Sequence, residues 1–458
     1  MRVIRTVLTI CAAMLLIIGC SERNQIIKTR VPARPCGQTD VVGLALPPVD
    51  TVRVGFIGLG MRGPGAVSRF CNLPQTRIVA LCDVEVDRVE KSQAILARYD
   101  RPAAAAYSGS EDAWKQLCER EDINLVYIAT DWKTHAPMAL YAMEHGKHVA
   151  IEVPAATSLD EIWALINMAE SKRLHCMMLE NCVYDFFELT TLNMAQQGLF
   201  GEVVHTEGAY NHCLDEYWDE YWHSWRLDFN AAHKGDIYPT HGLGPVCQVM
   251  NIHRGDRMKT LTAMETRSVV GRKLWEERGH NPDEFQNGDA TMTMISTEKV
   301  NTILIEHDVM TPRPYNRMYQ VVGTEGYAAK YPVQQFSLRP DRQEGAVDLD
   351  NLNSHKPVSE EVKAALMEKY RSPILTKELE ETAKRVGGHG GMDFIMDYRL
   401  VYCLTHGLPL DMDVYDLAEW CCLGELGAIS IAHGGAPVEV PDFTRGAWNK
   451  VCGYSYAL

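Results

Sequence analysis

Gly58-Leu59-Gly60-Met61-Arg62-Gly63 follows the apolar run Val52 to Ile57 and precedes a stretch able to form a helix, with Asp83 about twenty residues beyond Gly63. Strand, glycine-rich turn and helix in that order predict a dinucleotide site. Gly58 permits the tight turn, Gly60 lets the backbone approach a pyrophosphate, and Gly63 lets the helix pack closely on the strand. The pyrophosphate would meet unpaired N–H groups and the positive end of the helix dipole. Asp83 closes a second apolar run, Arg77-Ile78-Val79-Ala80-Leu81-Cys82. A carboxylate there accepts from ribose hydroxyls and repels a 2′-phosphate, which favours NAD over NADP. A glycine-rich turn in a cofactor-free α/β fold is the bland alternative.

Outward from this turn, strand and helix signals alternate. They predict a helix over 85–99, a strand over 103–107, a helix over 111–120, a buried strand over 124–130 and a helix over 136–145. A strand over 147–153, a helix over 159–172 and a strand over 174–180 follow. Such alternation implies a Rossmann-type, doubly wound parallel sheet. Beyond about Glu202 the pattern changes to longer alternating strands over 202–210, 260–268, 290–295, 300–308 and 318–322, which predict an α+β domain with a mostly antiparallel sheet. The charged stretch 341–379 reads as a surface insertion with a helix, and 393–431 as helical.

The N-terminus carries a different signal. Basic Met1-Arg2-Val3-Ile4-Arg5 leads into an apolar stretch ending Ile17-Ile18-Gly19-Cys20, too short for a comfortable membrane span. This looks like a bacterial lipoprotein signal, with Cys20 lipidated and first in the mature chain. Ser21 follows without an Asp retention signal, so the expectation is export and anchoring to a bacterial membrane, the outer one in a Gram-negative cell. The domain plan is therefore a signal peptide over 1–20, a tether over 21–50, an NAD-binding domain over 51–180 and a substrate-binding catalytic domain over 181–458. An exported NAD protein has no dependable cofactor pool, so its NAD should be tightly held and restored within each turnover.

Composition agrees with two folded domains: 46% of residues are hydrophobic, and a net charge of −15 disfavours nucleic acid or anionic membrane surfaces as partners. The chain has 14 cysteines. Cys71, Cys82, Cys176 and Cys247 lie in apolar contexts without metal-ligand spacing, so they read as buried thiols, and no metal is expected.

The order of glycine-rich turn, Asp83, Thr130-Asp131-Trp132-Lys133-Thr134-His135 and Glu152-Val153-Pro154 resembles the Gfo/Idh/MocA oxidoreductase superfamily. Sugar dehydrogenases of that superfamily carry an acid/base lysine between the Glu and Pro, where this chain has Val153. The usual acidic residue four positions before the later histidine is replaced by Ile237. Met178-Leu179-Glu180-Asn181-Cys182-Val183-Tyr184, Gly235 to Pro245, Pro312-Arg313-Pro314-Tyr315 and Gly388-His389-Gly390-Gly391-Met392-Asp393 are similar instead to glycoside hydrolase family 109, the NAD-dependent α-N-acetylgalactosaminidases. The resemblance implies that NAD oxidises the sugar C3 hydroxyl, a base removes the acidified C2 proton, the C1 group is eliminated, water adds, and C3 is reduced again.

The resemblance further implies site residues. His241 and Tyr238 would be catalytic, His241 at the C3 hydroxyl or the C2 proton and Tyr238 as hydrogen-bond partner or as a base if its pKa is lowered. Tyr210, Arg226, Tyr238, Pro239, Thr240, His241 and Tyr315 would bind the sugar, with Tyr319 competing for the last place and a surface ion pair to Asp228 the alternative for Arg226. Gly58, Gly60, Met61, Arg62, Gly63, Asp83, Trp132, Lys133, Thr134, His135, Glu152, Val153 and Asn181 would hold NAD. His389 is read as backbone accommodation within its glycine-rich turn. The partner is a small-molecule or glycan substrate, and a homo-oligomer is compatible. A sugar dehydrogenase using His241 for the missing lysine and a non-catalytic sugar-binding lipoprotein are the alternatives.

The lipoprotein expectation has a direct check. Cys20→Ala should leave the chain uncleaved at this site and unlabelled by palmitate in the producing cell; labelling that survives the substitution contradicts the assignment.

Overall fold

The computed structural model describes residues 26–342 and 355–457. The expected signal peptide and Cys20 lie outside the described residues. Six strands, β1 (Val52–Ile57), β2 (Thr76–Cys82), β3 (Ala105–Tyr107), β4 (Leu125–Ile128), β5 (His148–Ile151) and β6 (Cys176–Met178), form a parallel sheet in the order β3-β2-β1-β4-β5-β6. Helices Gly63–Cys71, Val86–Arg98, Ala113–Cys118, Trp132–Glu144 and Leu159–Lys172 connect them. Strand order reverses between β1 and β4, and a doubly wound sheet opens its ligand crevice at the carboxyl ends of such a pair. The helix expected from Ala136 begins at Trp132: Asp131 caps it by accepting from the Lys133 N–H at 3.0 Å, and Pro137 lies inside the helix.

The second sheet joins β7 (Val203–Asn211), β8 (Met258–Glu265), β9 (Thr291–Thr297), β10 (Thr302–Asp308), β11 (Gln320–Gly323), β12 (Gly326–Ala329), β13 (Gln335–Leu338) and β14 (Val438–Glu439) in the order β13-β12-β11-β7-β10-β9-β8-β14. Its pairs are antiparallel except β7 with β10. The strands β12, β13 and β14, which sequence periodicity does not reveal, have four, four and two residues, too few to show an alternation. Helix Thr240–Val249 lies on β7 at very short range: a Cβ on Gly208 would stand 2.1 Å from the Gly242 carbonyl oxygen. Glycine on both surfaces is what lets this helix sink onto the sheet. In the charged stretch after Asp341, helices Glu360–Lys369 and Lys377–Val386 form, while 343–354 lie outside the described residues. Helices Met392–His406, Val414–Cys421 and Leu423–Ala432 complete the chain's helical end. The twelve cysteines from Cys36 to Cys452 are free thiols, nine of them buried.

The tether reading of 21–50 needs correction from residue 26 onward. Ile27 bridges to Val438, and Val41, Val42 and Leu44 are buried in the common core. Buried Glu170 anchors the strap, accepting from Arg34 Nε at 3.0 Å, Arg445 Nη1 at 2.9 Å and the Tyr415 hydroxyl at 2.7 Å. The Tyr415 oxygen in turn accepts from the Val41 N–H at 3.1 Å. Scattered prolines and charges give this segment a linker's composition, but its short Val41-Val42-Gly43-Leu44 run fills a groove that would otherwise expose apolar surface.

Removing that hydroxyl isolates the strap's contribution. Tyr415→Phe should cost about 1–3 kcal/mol, because a buried carboxylate loses a donor and Val41 N–H its acceptor, while bound NAD in the folded protein stays unchanged. An unaltered thermal midpoint contradicts this account of the strap.

Candidate active site

The cofactor cleft is built where β1 and β4 end. Gly58 has φ +90°, and a Cβ there would sit 2.5 Å from the Ala129 carbonyl oxygen; one on Gly63 would sit 2.1 Å from the Gly58 oxygen. At Gly60 the nearest atom to such a Cβ is Arg88 Nη1 at 3.5 Å, so the turn is open on its cleft side. The cleft has a volume of about 870 Å³ and is walled by this turn, by Asp83, Thr130 and Thr134, and across the junction by Tyr221, Trp222 and Trp225. Asp83 Oδ2 accepts from the Leu59 N–H at 2.6 Å, Oδ1 accepts from the Glu85 N–H at 3.0 Å, and Arg88 Nη1 approaches Oδ1 to 3.4 Å. A backbone cradle, a fixed carboxylate and an aromatic wall fit the pyrophosphate, ribose and base of a dinucleotide.

Beyond Met61 and Arg62 the cleft continues into a cavity of about 360 Å³ between the two domains. Here His241 Nδ1 lies 2.8 and 2.9 Å from the two Glu180 oxygens, and Nε2 lies 3.1 Å from the Tyr238 hydroxyl. Nδ1 facing a carboxylate assigns the proton to Nδ1, so Nε2 accepts from Tyr238. Burial opposes a charge on Glu180, but the facing His241 and the Cys182 N–H hold its carboxyl below the ordinary range. Burial pushes the Tyr238 hydroxyl well above its ordinary value. The protonated hydroxyl suits the hydrogen-bond role expected of Tyr238, and not the base role that was conditional on a lowered pKa. Cys182 completes a group whose donor atoms are close enough for a metal, yet its thiol is also pushed up by burial and lies 3.4 Å from Asn181 Oδ1.

Arg226 is buried at the other wall, 4.6 Å from the Tyr238 ring centroid, 5.1 Å from Trp132, 5.2 Å from Tyr221 and 5.9 Å from Tyr210. It donates to the Tyr221 hydroxyl, and its Nε has no hydrogen-bond partner. No ion pair to Asp228 or any other carboxylate forms among the described residues. A cation faced by ring quadrupoles and no anion borders the cavity. Trp132 stacks on Tyr238 at 5.5 Å and 22°, joining the first domain's helix start to the Tyr238–His241 pair.

On the remaining side, Arg62 Nε pairs with Glu152 at 3.3 Å and Nη2 with Asp393 at 3.1 Å. Asp393 also accepts from Asn181 Nδ2 at 2.6 Å and faces His389 Nδ1 at 3.0 Å. The His389 ring borders the cavity, so its side chain, and not only its backbone, belongs to the site.

Several expected residues take other places. Lys133 is exposed and outside the walls of both cavities, where only its backbone serves the Asp131 cap. His135 is buried but lines the cavity, with Nδ1 2.8 Å from the Pro154 carbonyl and Nε2 3.1 Å from the Thr130 carbonyl; burial favours the neutral ring, which donates to one of the two. Pro239 and Thr240 are buried behind Tyr238 and His241 and do not line the cavity. Tyr319 is in the core, bonded to the Thr191 hydroxyl, whereas Tyr315 is exposed and stands edge-on to Tyr210 at 6.2 Å. Glu152, Val153, Asn181, Tyr210, Arg226, Tyr238 and His241 all line the cavity. Sequence reasoning missed Glu180 and Asp393, although both lie in the motifs quoted above: Glu180 is 61 residues from His241, and the i,i+4 spacing of His389 and Asp393 was a local signal left unused.

Comparisons with known proteins agree with both halves. Residues 52–180 match the model of the oxidoreductase family with an NAD-binding Rossmann fold, and residues 184–450 match that of the glycosyl hydrolase 109 C-terminal domain. Glycosyl hydrolase family 109 protein 1 of Bacteroides fragilis is 65% identical over 436 residues, 94% of each chain. A family 109 protein of Porphyromonas gingivalis is 64% identical over 435 residues, covering 94% of this chain and 93% of its own. Among solved structures, an NAD-binding oxidoreductase from Klebsiella pneumoniae aligns with TM-score 0.64 at 17% identity, over 86% of this chain and 100% of its own. Levoglucosan dehydrogenase in complex with NADH and levoglucosan aligns with TM-score 0.61 at 15% identity, over 86% and 100%. These two share the fold. With an NAD-binding Rossmann domain joined to the family's own C-terminal domain, this chain belongs to glycosyl hydrolase family 109.

Proposed function

We propose that this glycosidase removes a terminal α-linked N-acetylgalactosamine by oxidation at C3, deprotonation at C2, elimination at C1, addition of water and re-reduction at C3. The observation that carries this reading is the Glu180–His241–Tyr238 relay, which opens into a cavity continuous with the dinucleotide cleft. The glycine-rich turn and Asp83 would hold NAD, which when bound would supply the acceptor and later the donor of a hydride at C3.

The chain's own residues do the rest. With Nδ1–H held by Glu180, His241 Nε2 takes a sugar proton and the carboxylate stabilises the imidazolium that forms. Tyr238, protonated and adjacent, hydrogen-bonds the same sugar oxygen. Negative charge gathers on the C3 oxygen once C2–H is lost, and Arg226, a buried cation without a carboxylate partner, stabilises it in a site where water no longer screens the interaction. Val153 leaves this work to His241, because it brings no acid/base group to the position a sugar dehydrogenase fills with lysine. The bond at C1 then breaks through an enolate and not through the oxocarbenium route of two-carboxylate glycosidases. We also propose that the enzyme acts outside the cytoplasm, anchored through lipid at Cys20.

Purified protein should carry NAD and hydrolyse a 4-nitrophenyl α-N-acetylgalactosaminide with none added and no NADH accumulating; NADH appearing in step with sugar product indicates a dehydrogenase. His241→Ala should lower turnover about 10²–10⁴-fold while NAD, measured by mass spectrometry, stays bound. Full activity in that variant contradicts the assignment.

A further inference from the structure

We propose that His212 recognises the acetamido group of the substrate: its Nε2 accepts from the amide N–H, while Leu214 and Tyr217 pack against the methyl. The inference rests on the N-acetylgalactosaminide reading above and adds the part of the site that selects that sugar.

His212 stands one residue beyond β7, where the chain leaves the sheet to form part of the cavity wall. Its backbone is pinned, because the His212 N–H donates to the Asp308 carbonyl at 2.8 Å and the Leu214 N–H to the Val309 carbonyl at 3.2 Å. The ring is held edge-on by Tyr315 at 5.2 Å and 90° and by Tyr217 at 5.5 Å and 85°. Its Nδ1 lies 2.8 Å from the Cys213 carbonyl oxygen, and a carbonyl only accepts, so Nδ1 carries a proton. Burial pushes the imidazole below the ordinary histidine value against the pull of that carbonyl, and the nearby Arg226 and His241 push the same way as burial. The ring is therefore neutral, with a lone pair on Nε2. That nitrogen makes no hydrogen bond among the described residues.

The groups assigned to the redox steps leave this acceptor free for another task. Glu180 faces His241, His241 Nε2 accepts from Tyr238, and Glu152 is paired with Arg62. Arg226 can only donate. Next to His212 the wall turns apolar: Leu214 is buried, Tyr217 is exposed, and the Tyr217 N–H donates to the Leu214 carbonyl at 2.8 Å, closing a turn that sets both side chains on the cavity. An acceptor beside apolar surface matches an amide that offers one N–H and a methyl. A hydroxyl at C2 would meet the acceptor and leave the apolar surface uncovered.

The test removes each half of the contact from both sides. For His212→Phe, which keeps a ring and removes the acceptor, kcat/KM on 4-nitrophenyl α-N-acetylgalactosaminide should fall about tenfold, and on the 2-deoxygalactoside, which has no donor at C2, less than about twofold, with NAD retained. His212→Gln, which keeps an acceptor oxygen at similar reach, should lose less than the phenylalanine variant. For Tyr217→Ala the N-acetyl substrate should lose about three- to fivefold and the galactoside, which has no methyl, less than about twofold; this exposed position covers the case in which the His212 variants fold poorly. Inhibition constants of free N-acetylgalactosamine, 2-deoxygalactose and galactose give the same comparison where a substrate turns over too slowly. An equal loss on the paired substrates, or no loss, overturns the proposal. An unaltered enzyme no more active on the N-acetylgalactosaminide than on the galactoside would defeat the substrate reading instead, before any variant is made.

Discussion

A carboxylate taken out of water has to find donors, and here two buried carboxylates find them across the junction between the domains. Glu180, just beyond β6, reaches His241 on the helix that lies on β7. Asp393, at the start of a C-terminal helix, reaches back to Arg62 of the glycine-rich turn, to Arg69 of the following helix and to Asn181. Removing one partner of such a group leaves the other buried and unpaired, typically at a cost of about 3–5 kcal/mol. The junction is held by polar contacts with defined directions, so the walls of the active site cannot shift without breaking them.

That constraint explains how a fold shared with sugar dehydrogenases can carry hydrolysis. The Rossmann half provides the dinucleotide cleft, and the cavity beyond it is lined from both domains. On one side stand His241 and Tyr238, with Arg226 nearby and without a carboxylate partner among the described residues; on another stands His389 over Asp393. Each of the two carboxylates holds one imidazole at the cavity wall. In the proposed reaction the cofactor returns to its starting state, which suits the export expected from the N-terminal sequence.

The parallel sheet was legible because both of its faces are covered, leaving continuous apolar runs between glycine-rich and charged connections. Helix Leu159–Lys172 coincides with its periodic stretch and is capped by Ser158. Local composition misled where tertiary packing decided the outcome: the strap at Val41 and Val42 resembles a linker, and Pro137 hides the helix start at Trp132. In the site, Tyr238, His241 and Arg226 were legible through motifs. Glu180 was not, since its histidine is 61 residues away, and Asp393, four residues from His389, meets Arg62 only through a contact 331 residues away. His135, in the cavity wall, has ring nitrogens that face two backbone carbonyls, a setting its sequence neighbours do not reveal.

The central claim is that the glycosidic bond breaks only after C2 loses its proton. Hydrolysis in D₂O, with product analysed by NMR before solvent exchange, reads this directly. The account predicts deuterium at C2 of the released sugar, with bound NAD unchanged in amount and oxidation state. Product that keeps its original hydrogen at C2 would contradict it.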